Sequence, residues 1–492
     1  MPGKLTIVLG AATQDSVLAL IVAQGLGREV PTVTVRPAGA VGGPVNTLIP
    51  RPWPVGPTIA PRLHQRDVRV FRVRVPVRNE VVLEAFNADR SVTRKSAPFR
   101  ALPARLADVP AGLSFVLGTC TYYWPPFLQL LAARLRGCYG AGGSPAFAIW
   151  AGDNVYLDVP KPKGQRPADV VDRYLRYFLD GGYGAGRAAL PSFTTYDDHE
   201  YWNDYPERAL PVTTWLTQQG VAGFAAAANE CLDLFQRSIN PPPAGQASFT
   251  YCIDVPPLSI CVIDTRSHRD HSDAPTERLM REEDLLEFES WARGLTGPGV
   301  LVLGQPLWIE PTMTVGPVVG DHNVSHFRAH YDRICRAIET APFDILICSG
   351  DVHYSRLLRI ATRERRVLHE LVASPLVSIP TVGASFEQLF FGGTPKPMLD
   401  HHIEDTTQAP RAGWQARYQM GTGNGTVFAV LNFKPAGAQI SVGLSFIDLR
   451  SGTPADLVRE TALGAAQVFS SDGTRTHVCA HPAALTLGRR LS

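Results

Sequence analysis

Apolar runs fall into two different patterns along the chain. Before residue 109 the runs KLTIVLG (4–10), TVTVRP (32–37) and VRVFRVRVPV (68–77) stand between turns rich in Pro and Gly. The third alternates Val or Phe with Arg, the period-two signature of a half-buried strand. Ser16–Ala23 is apolar and ambiguous between helix and strand, and no other helix is expected there. These elements predict a small N-terminal β-sandwich over residues 1–108. The segment PARLADVPAG (103–112) reads as a linker.

From about residue 112, short apolar runs alternate with helical patterns. PADVVDRYLRYFLDGG (167–182) has apolar positions at helical spacing, opens on Pro167 and closes on Gly181-Gly182. Two more helices are expected over 276–295 and 326–340, each leading into a strand, VLVLG and FDILICSG. Such alternation argues for an α/β domain over 109–492. VFAVLNF and ISVGLSFIDLRSG form a hairpin at about 425–450 that joins its sheet.

Six apolar runs end abruptly in polar residues. They lead to Cys120, to Asp153 and Tyr156, to Asp197, Asp198 and His199, to Asp264 and Arg266, to Gln305, and to Asp351 and His353. Open α/β sheets build their sites outside the carboxyl ends of their strands. Six such endings suggest one site fed by several strands.

Each ending has a plain structural alternative. Asp153 could cap a turn while Tyr156 packs. Asp351 and His353 share a face of extended backbone, so both could reach neighbouring metals, or they could close an ordinary turn. TYDDHE groups titratable residues that are costly to bury without a positive partner, and a solvated loop is the alternative. Cys120 lies just past its strand, where a thiolate could bind metal, although a structural cysteine is commoner. The clusters HRDH (268–271), GDHNVSH (320–326) and DHHIED (400–405) read as solvated loops.

Composition narrows the classes. The 492 residues are 45% hydrophobic and 19% charged, with formal net charge +2, so no nucleic-acid-binding patch is indicated. The 43 glycines and 41 prolines exceed the usual share of roughly 12% and predict many turns. Eight cysteines without metal spacing do not make a disulfide scaffold, and Cys261 and Cys348 read as buried. No run reaches the ~20 residues of a membrane span. Leu5–Leu9 reads as a first strand rather than a signal, and no twin-Arg pair is seen. A cytoplasmic location is expected, with an exported form left open.

In order, GTC, GDNVY, DDHE, GQ and GDVH resemble the alkaline phosphatase D (PhoD-like) family of the calcineurin-like metallophosphoesterases. GAATQDSVLALIVA, IDTRSHR and ASPL also match family positions. The resemblance covers nearly the whole chain. It implies a four-layer α/β/β/α metallophosphoesterase sandwich behind the small N-terminal β-sandwich.

It implies further that Cys120, Asp153, Tyr156 and His353 hold Fe³⁺. Asp153 would bridge to Ca²⁺, with Mg²⁺ or Mn²⁺ as alternatives, bound by Asp198, Asp351 and Gln305. His199 would assist the leaving oxygen and Arg266 would contact phosphate. The implied reaction is hydrolysis of a small phosphoester or phosphodiester by a metal-bound hydroxide at a dinuclear centre. The family's diester activity favours a diester-capable enzyme.

Three other classes compete. One is a non-catalytic metal- or phosphate-ligand-binding protein that retains the fold. A serine or cysteine hydrolase is disfavoured because no GxSxG elbow is present. An adhesion module would rest on the N-terminal sandwich alone. Substrate identity and oligomeric state stay open.

Overall fold

The computed structural model describes residues 3–39, 45–137, 145–160, 166–179, 182–208, 216–242, 249–271, 274, 276, 278–307, 324–353, 355–361, 367–377, 415–422, 426–437, 439–449, 457–460, 466–469 and 483–487. Two antiparallel four-stranded sheets open the chain. One orders Lys4–Ala12, Ser16–Gln24, Val68–Pro76 and Arg51–Pro52. The other orders Asn46–Leu48, Thr32–Pro37, Val81–Phe86 and Thr93–Lys95.

The ambiguous Ser16–Ala23 stretch is a strand in the interior of its sheet, pairing Ile21 with both Ile7 and Phe71. Ala19 and Ile21 join one apolar cluster, while Leu20 and Val22 join another. A strand buried on both faces shows no alternation, so periodicity could not separate it from a helix. A short helix, Ala60–Gln65, also lies in this region and was not expected; it buries only Leu63. One apolar contact leaves no helical period to read. The linker is anchored rather than loose: Leu106 is buried and its amide donates to the Pro256 carbonyl at 2.9 Å.

Two larger sheets follow. The first orders Ser192–Thr195, Phe147–Ala151, Leu113–Gly118, Val427–Ala436, Gln439–Asp448 and Ala483–Leu487, and its first three strands are parallel. The expected hairpin joins it, setting Leu431 opposite Phe115. The second sheet places Leu258–Val262, Gly299–Val302, Ile345–Ser349 and Val367–Val372 side by side in parallel.

Three apolar clusters separate the layers. Phe115, Leu117, Phe147 and Ile149 share one with Ile260, Val262, Val300 and Val302, so it fills the space between the sheets. On the other face of the first sheet, Val116, Ala148 and Trp150 meet the helices Pro167–Leu179 and Gln218–Phe235 through Tyr174, Phe178 and Phe224. On the other face of the second sheet, Cys261, Leu301 and Leu303 meet the helices Glu282–Arg293 and Arg328–Thr340 through Phe288, Tyr331 and Ile334. The order is therefore α/β/β/α. Both sheets are covered on both sides, which is why their strands read as continuous apolar runs.

The helix expected over 276–295 begins only at Glu282. Before it, the Arg278 carbonyl accepts the Asp270 amide at 2.8 Å, the Arg278 amide donates to the Asp270 carboxylate at 3.1 Å, and the guanidinium pairs with that carboxylate at 3.0 Å. That loop contact outcompetes helix propensity. No described helix is long and apolar enough to cross a membrane.

Candidate metal centre at the strand ends

The parallel strands of both sheets release their chemistry into one place. Cys120, Asp153, Asp197–His199, Gln305 and Asp351 follow the strands Leu113–Gly118, Phe147–Ala151, Ser192–Thr195, Gly299–Val302 and Ile345–Ser349. The backbone there is unusual. Cys120 (φ 53°), Asp153 (54°), Asp351 (69°) and His353 (55°) all adopt left-handed conformations. Non-glycine residues rarely do so, and the cost is of order 1–3 kcal/mol each. Glycine would relieve it, so these positions keep side chains for a reason beyond folding. The adjoining glycines are required by space. A Cβ on Gly152 would lie 2.8 Å from Asp197, and one on Gly350 would lie 2.2 Å from Thr119.

The side chains converge. Tyr156 Oη lies 3.2 Å from Asp153 Oδ2 and 3.3 Å from His353 Nε2, and Cys120 Sγ lies 3.6 Å from the same Asp153 oxygen. Three overlapping groups could each hold a cation, their ligand atoms within 4.8 Å of one another. They are Cys120, Asp153 and His353; Asp153, Asp198 and His199; and Asp197, Asp198 and Asp351. Asp153 and Asp198 each belong to two groups.

The electrostatics call for positive charge. Burial, then the Asp351 carboxylate, pushes the Cys120 thiol up to about 12. Burial raises Asp153 well above the usual carboxylate range; Asp198, Cys120 and Asp197 add to this, while His199 opposes it. Burial and the Asp153 carboxylate raise Tyr156 likewise. Burial, with the neighbouring His199, lowers His353 to about 4. Asp198 Oδ2 accepts the Asp204 amide at 2.5 Å, but its buried Oδ1 has no hydrogen-bond partner among the described residues. An orphaned carboxylate oxygen beside three other acidic groups fits a cation better than it fits any arrangement of the protein alone. One side of the cluster offers sulfur, phenol, imidazole and carboxylate. The other offers carboxylate oxygens, which suit a hard divalent ion.

Several supporting residues were not singled out by sequence reasoning. Asp158 holds His199 Nδ1 at 2.7 Å through Oδ1 and accepts the Asn203 amide at 2.9 Å through Oδ2. The His199 ring stacks on Tyr156 with centroids 4.2 Å apart. Burial pulls the His199 pKa down, but the carboxylates of Asp158, Asp198 and Asp153 outweigh it and hold it well above the ordinary value. Glu200 accepts the amides of Asp153 (3.0 Å), Asn154 (2.5 Å) and Asp197 (2.9 Å), so one buried carboxylate ties two strand-end loops together. Ser374 of the ASPL segment donates to Cys120 Sγ at 3.1 Å and accepts the His353 amide at 3.1 Å. The only hint of Asp158 was a second aspartate shortly after GDNVY.

Two of the expected site residues make close contacts within the protein. Arg266 is fully buried; its Nε donates to Asp197 at 2.6 Å and its Nη1 to the Tyr205 carbonyl at 2.8 Å. These contacts tie Arg266 to the DDHE loop and to the chain just beyond it. Gln305 reaches the site, but its amide oxygen accepts from Arg269 Nη2 at 2.7 Å while its Nε2 donates to Asp351 Oδ2 at 3.0 Å. Gln305 thus links Arg269 to the Asp351 carboxylate. Arg269 comes from HRDH, expected to be a solvated loop. His268 there is exposed, but Arg269 is buried. The cluster over 400–405 lies outside the described residues, as does most of 320–326.

No family model matches the chain. A solved structure of PhoD superposes with a TM-score of 0.63 and 16% identity, covering 95% of this chain and 92% of that one. Alkaline phosphatase D from Bacillus subtilis (strain 168) is 22% identical over 291 residues, 52% of this chain and 48% of the relative. The match therefore spans about half of that relative's length. The structural likeness shows that the chain shares the α/β fold of PhoD, and the weak sequence match points to the same family.

Proposed function

We propose that this PhoD-like chain is a metal-dependent hydrolase of small phosphoesters, with phosphodiesterase and phosphomonoesterase activity. The observation that carries the proposal is the convergence of Cys120, Tyr156 and His353 on Asp153, beside Asp198 and Asp351, with one buried Asp198 oxygen left without a hydrogen-bond partner. Cys120, Asp153, Tyr156 and His353 would hold Fe³⁺. Asp153, Asp198 and Asp351 would hold Ca²⁺, or Mg²⁺ or Mn²⁺. When bound, such cations supply Lewis-acid charge to a phosphoryl group and acidify water.

The chain's own residues do the rest. Gln305, itself held by Arg269, sets the Asp351 carboxylate. Glu200 and Arg266 hold the Asp153 and Asp197 loops rigid, so little reorganisation accompanies reaction. Hydrolysis forms one bond from water oxygen to phosphorus and breaks one to the leaving oxygen, which needs a proton. We assign that donation to His199. Asp158 holds Nδ1, so Nε2 would be the nitrogen that donates to the leaving oxygen. After release, water restores the proton to His199.

The test is turnover of p-nitrophenyl phosphate and bis(p-nitrophenyl) phosphate by metal-loaded protein, abolished by chelation and restored by metal. Metal bound without turnover of either ester would instead make the chain a binding protein of the same fold.

A further inference from the structure

The chain leaves the candidate centre through TYYW (121–124), and these aromatic residues are spent neither on the metal site nor wholly on the core. Tyr122 packs with Val159 against Cys120 and Tyr156, meeting the Tyr156 ring edge-on at 5.9 Å. Tyr123 lies 5.3 Å from the Tyr177 ring, with the Arg176 guanidinium 5.5 Å from its centroid. Next comes Trp124, 39% exposed and the exposed large aromatic residue among those described. Its carbonyl accepts the amides of Phe127 (3.0 Å) and Leu128 (3.1 Å), so it is pinned at the start of the helix Pro125–Gly137. Two prolines follow it and stiffen the backbone further.

Trp124 thus stands exposed four residues past Cys120, and its side chain belongs to none of the apolar clusters. We infer that Tyr122, Tyr123 and Trp124 form a substrate ledge that takes a planar aromatic ring on the ester's organic group. Large rigid rings bind another ring at low entropic cost, because little is left to immobilise. A glycosyl group is the weaker match, since sugar hydroxyls need amide or carboxylate partners and TYYWPPF carries none. The inference rests on the hydrolase proposal for its setting, and places the ring-bearing ester group on the Cys120–Tyr156 side of the centre.

The experiment compares phenyl p-nitrophenyl phosphate with methyl p-nitrophenyl phosphate, which share a leaving group and differ only in the retained ester. The metal-loaded full-length protein is expected to favour the phenyl ester in kcat/KM by about tenfold or more, within the range one stacked ring supplies. Trp124→Ala should reduce that ratio to about two, and Trp124→Phe should restore most of it. Trp124 lies outside the apolar clusters, so its truncation should leave the fold intact.

Equal losses on both esters, or an unchanged ratio, would overturn the ledge. A binding arm needs no turnover: phenylphosphonate should bind about tenfold more tightly than methylphosphonate by calorimetry, and Trp124→Ala should abolish the difference. If neither ester turns over but the binding difference holds, the hydrolase proposal fails and the ledge stands. If turnover is seen without ring preference in either arm, the ledge fails alone.

Discussion

Asp158 lies 2.7 Å from Nδ1 of His199, and both side chains are buried. The carboxylate fixes the tautomer and supports the charged ring, so under the proposed assignment Asp158 would act on the reaction through His199. Asp158→Asn should lower kcat more than it raises KM, by about 10²-fold, at the low end of what general acid catalysis contributes. The loss should be larger for phenyl phosphate than for p-nitrophenyl phosphate, because the poorer leaving group depends more on its proton. Equal losses on the two esters would remove His199 from that step.

The phenol of Tyr156 and the thiol of Cys120 both approach Asp153 Oδ2. If Fe³⁺ binds there, both become charge-transfer ligands, and the oxidised iron-loaded protein should be visibly coloured. Tyr156→Phe should weaken or shift that band. A colourless iron-loaded sample would remove iron from this side of the centre.

Arg269, Gln305 and Asp351 form a chain of contacts into the carboxylate side of the centre. Partners that orient a ligand typically contribute 10–100-fold to metal affinity. Arg269→Met should therefore weaken Ca²⁺ or Mn²⁺ binding by about tenfold or more, measured by calorimetry, while leaving the colour of the other side unchanged. Loss of both together would indicate general disruption rather than this relay.

Arg266 and Asp197 form a fully buried ion pair. Removing one partner leaves an uncompensated charge and costs roughly 3–5 kcal/mol. Arg266→Leu should lower unfolding stability by about that amount in denaturant titration. Wild-type stability with a raised KM would instead return Arg266 to a phosphate-contacting role.

Much of the site could be read from the chain because strand ends announce themselves: an apolar run broken by Gly-Asp or by DDHE locates a carboxylate above a sheet. Asp153, Tyr156, Asp198, Asp351 and His353 emerged that way, and the structure brings them together. Cys120 needed the family resemblance, since one cysteine after a strand has no signature of its own. The supporting contacts were illegible because they join distant segments. Ser374 reaches Cys120 across 254 positions and Asp158 reaches His199 across 41. The Arg266–Asp197 pair was equally hidden, because its partners lie 69 positions apart. In the fold, both Ser16–Gln24 and the start of the 276–295 helix depended on tertiary contacts that overrode local pattern.

The central claim is that two cations share Asp153. The most direct measurement is metal content and turnover of bis(p-nitrophenyl) phosphate on one preparation each of wild type and Asp153→Asn. Two metal equivalents and turnover are expected in the wild type. The variant should lose metal from both sides, with a fall in kcat/KM of at least about 10²-fold, as when a group essential to electrostatic stabilisation is removed. A variant that keeps wild-type turnover, or loses metal from one side only, would contradict it.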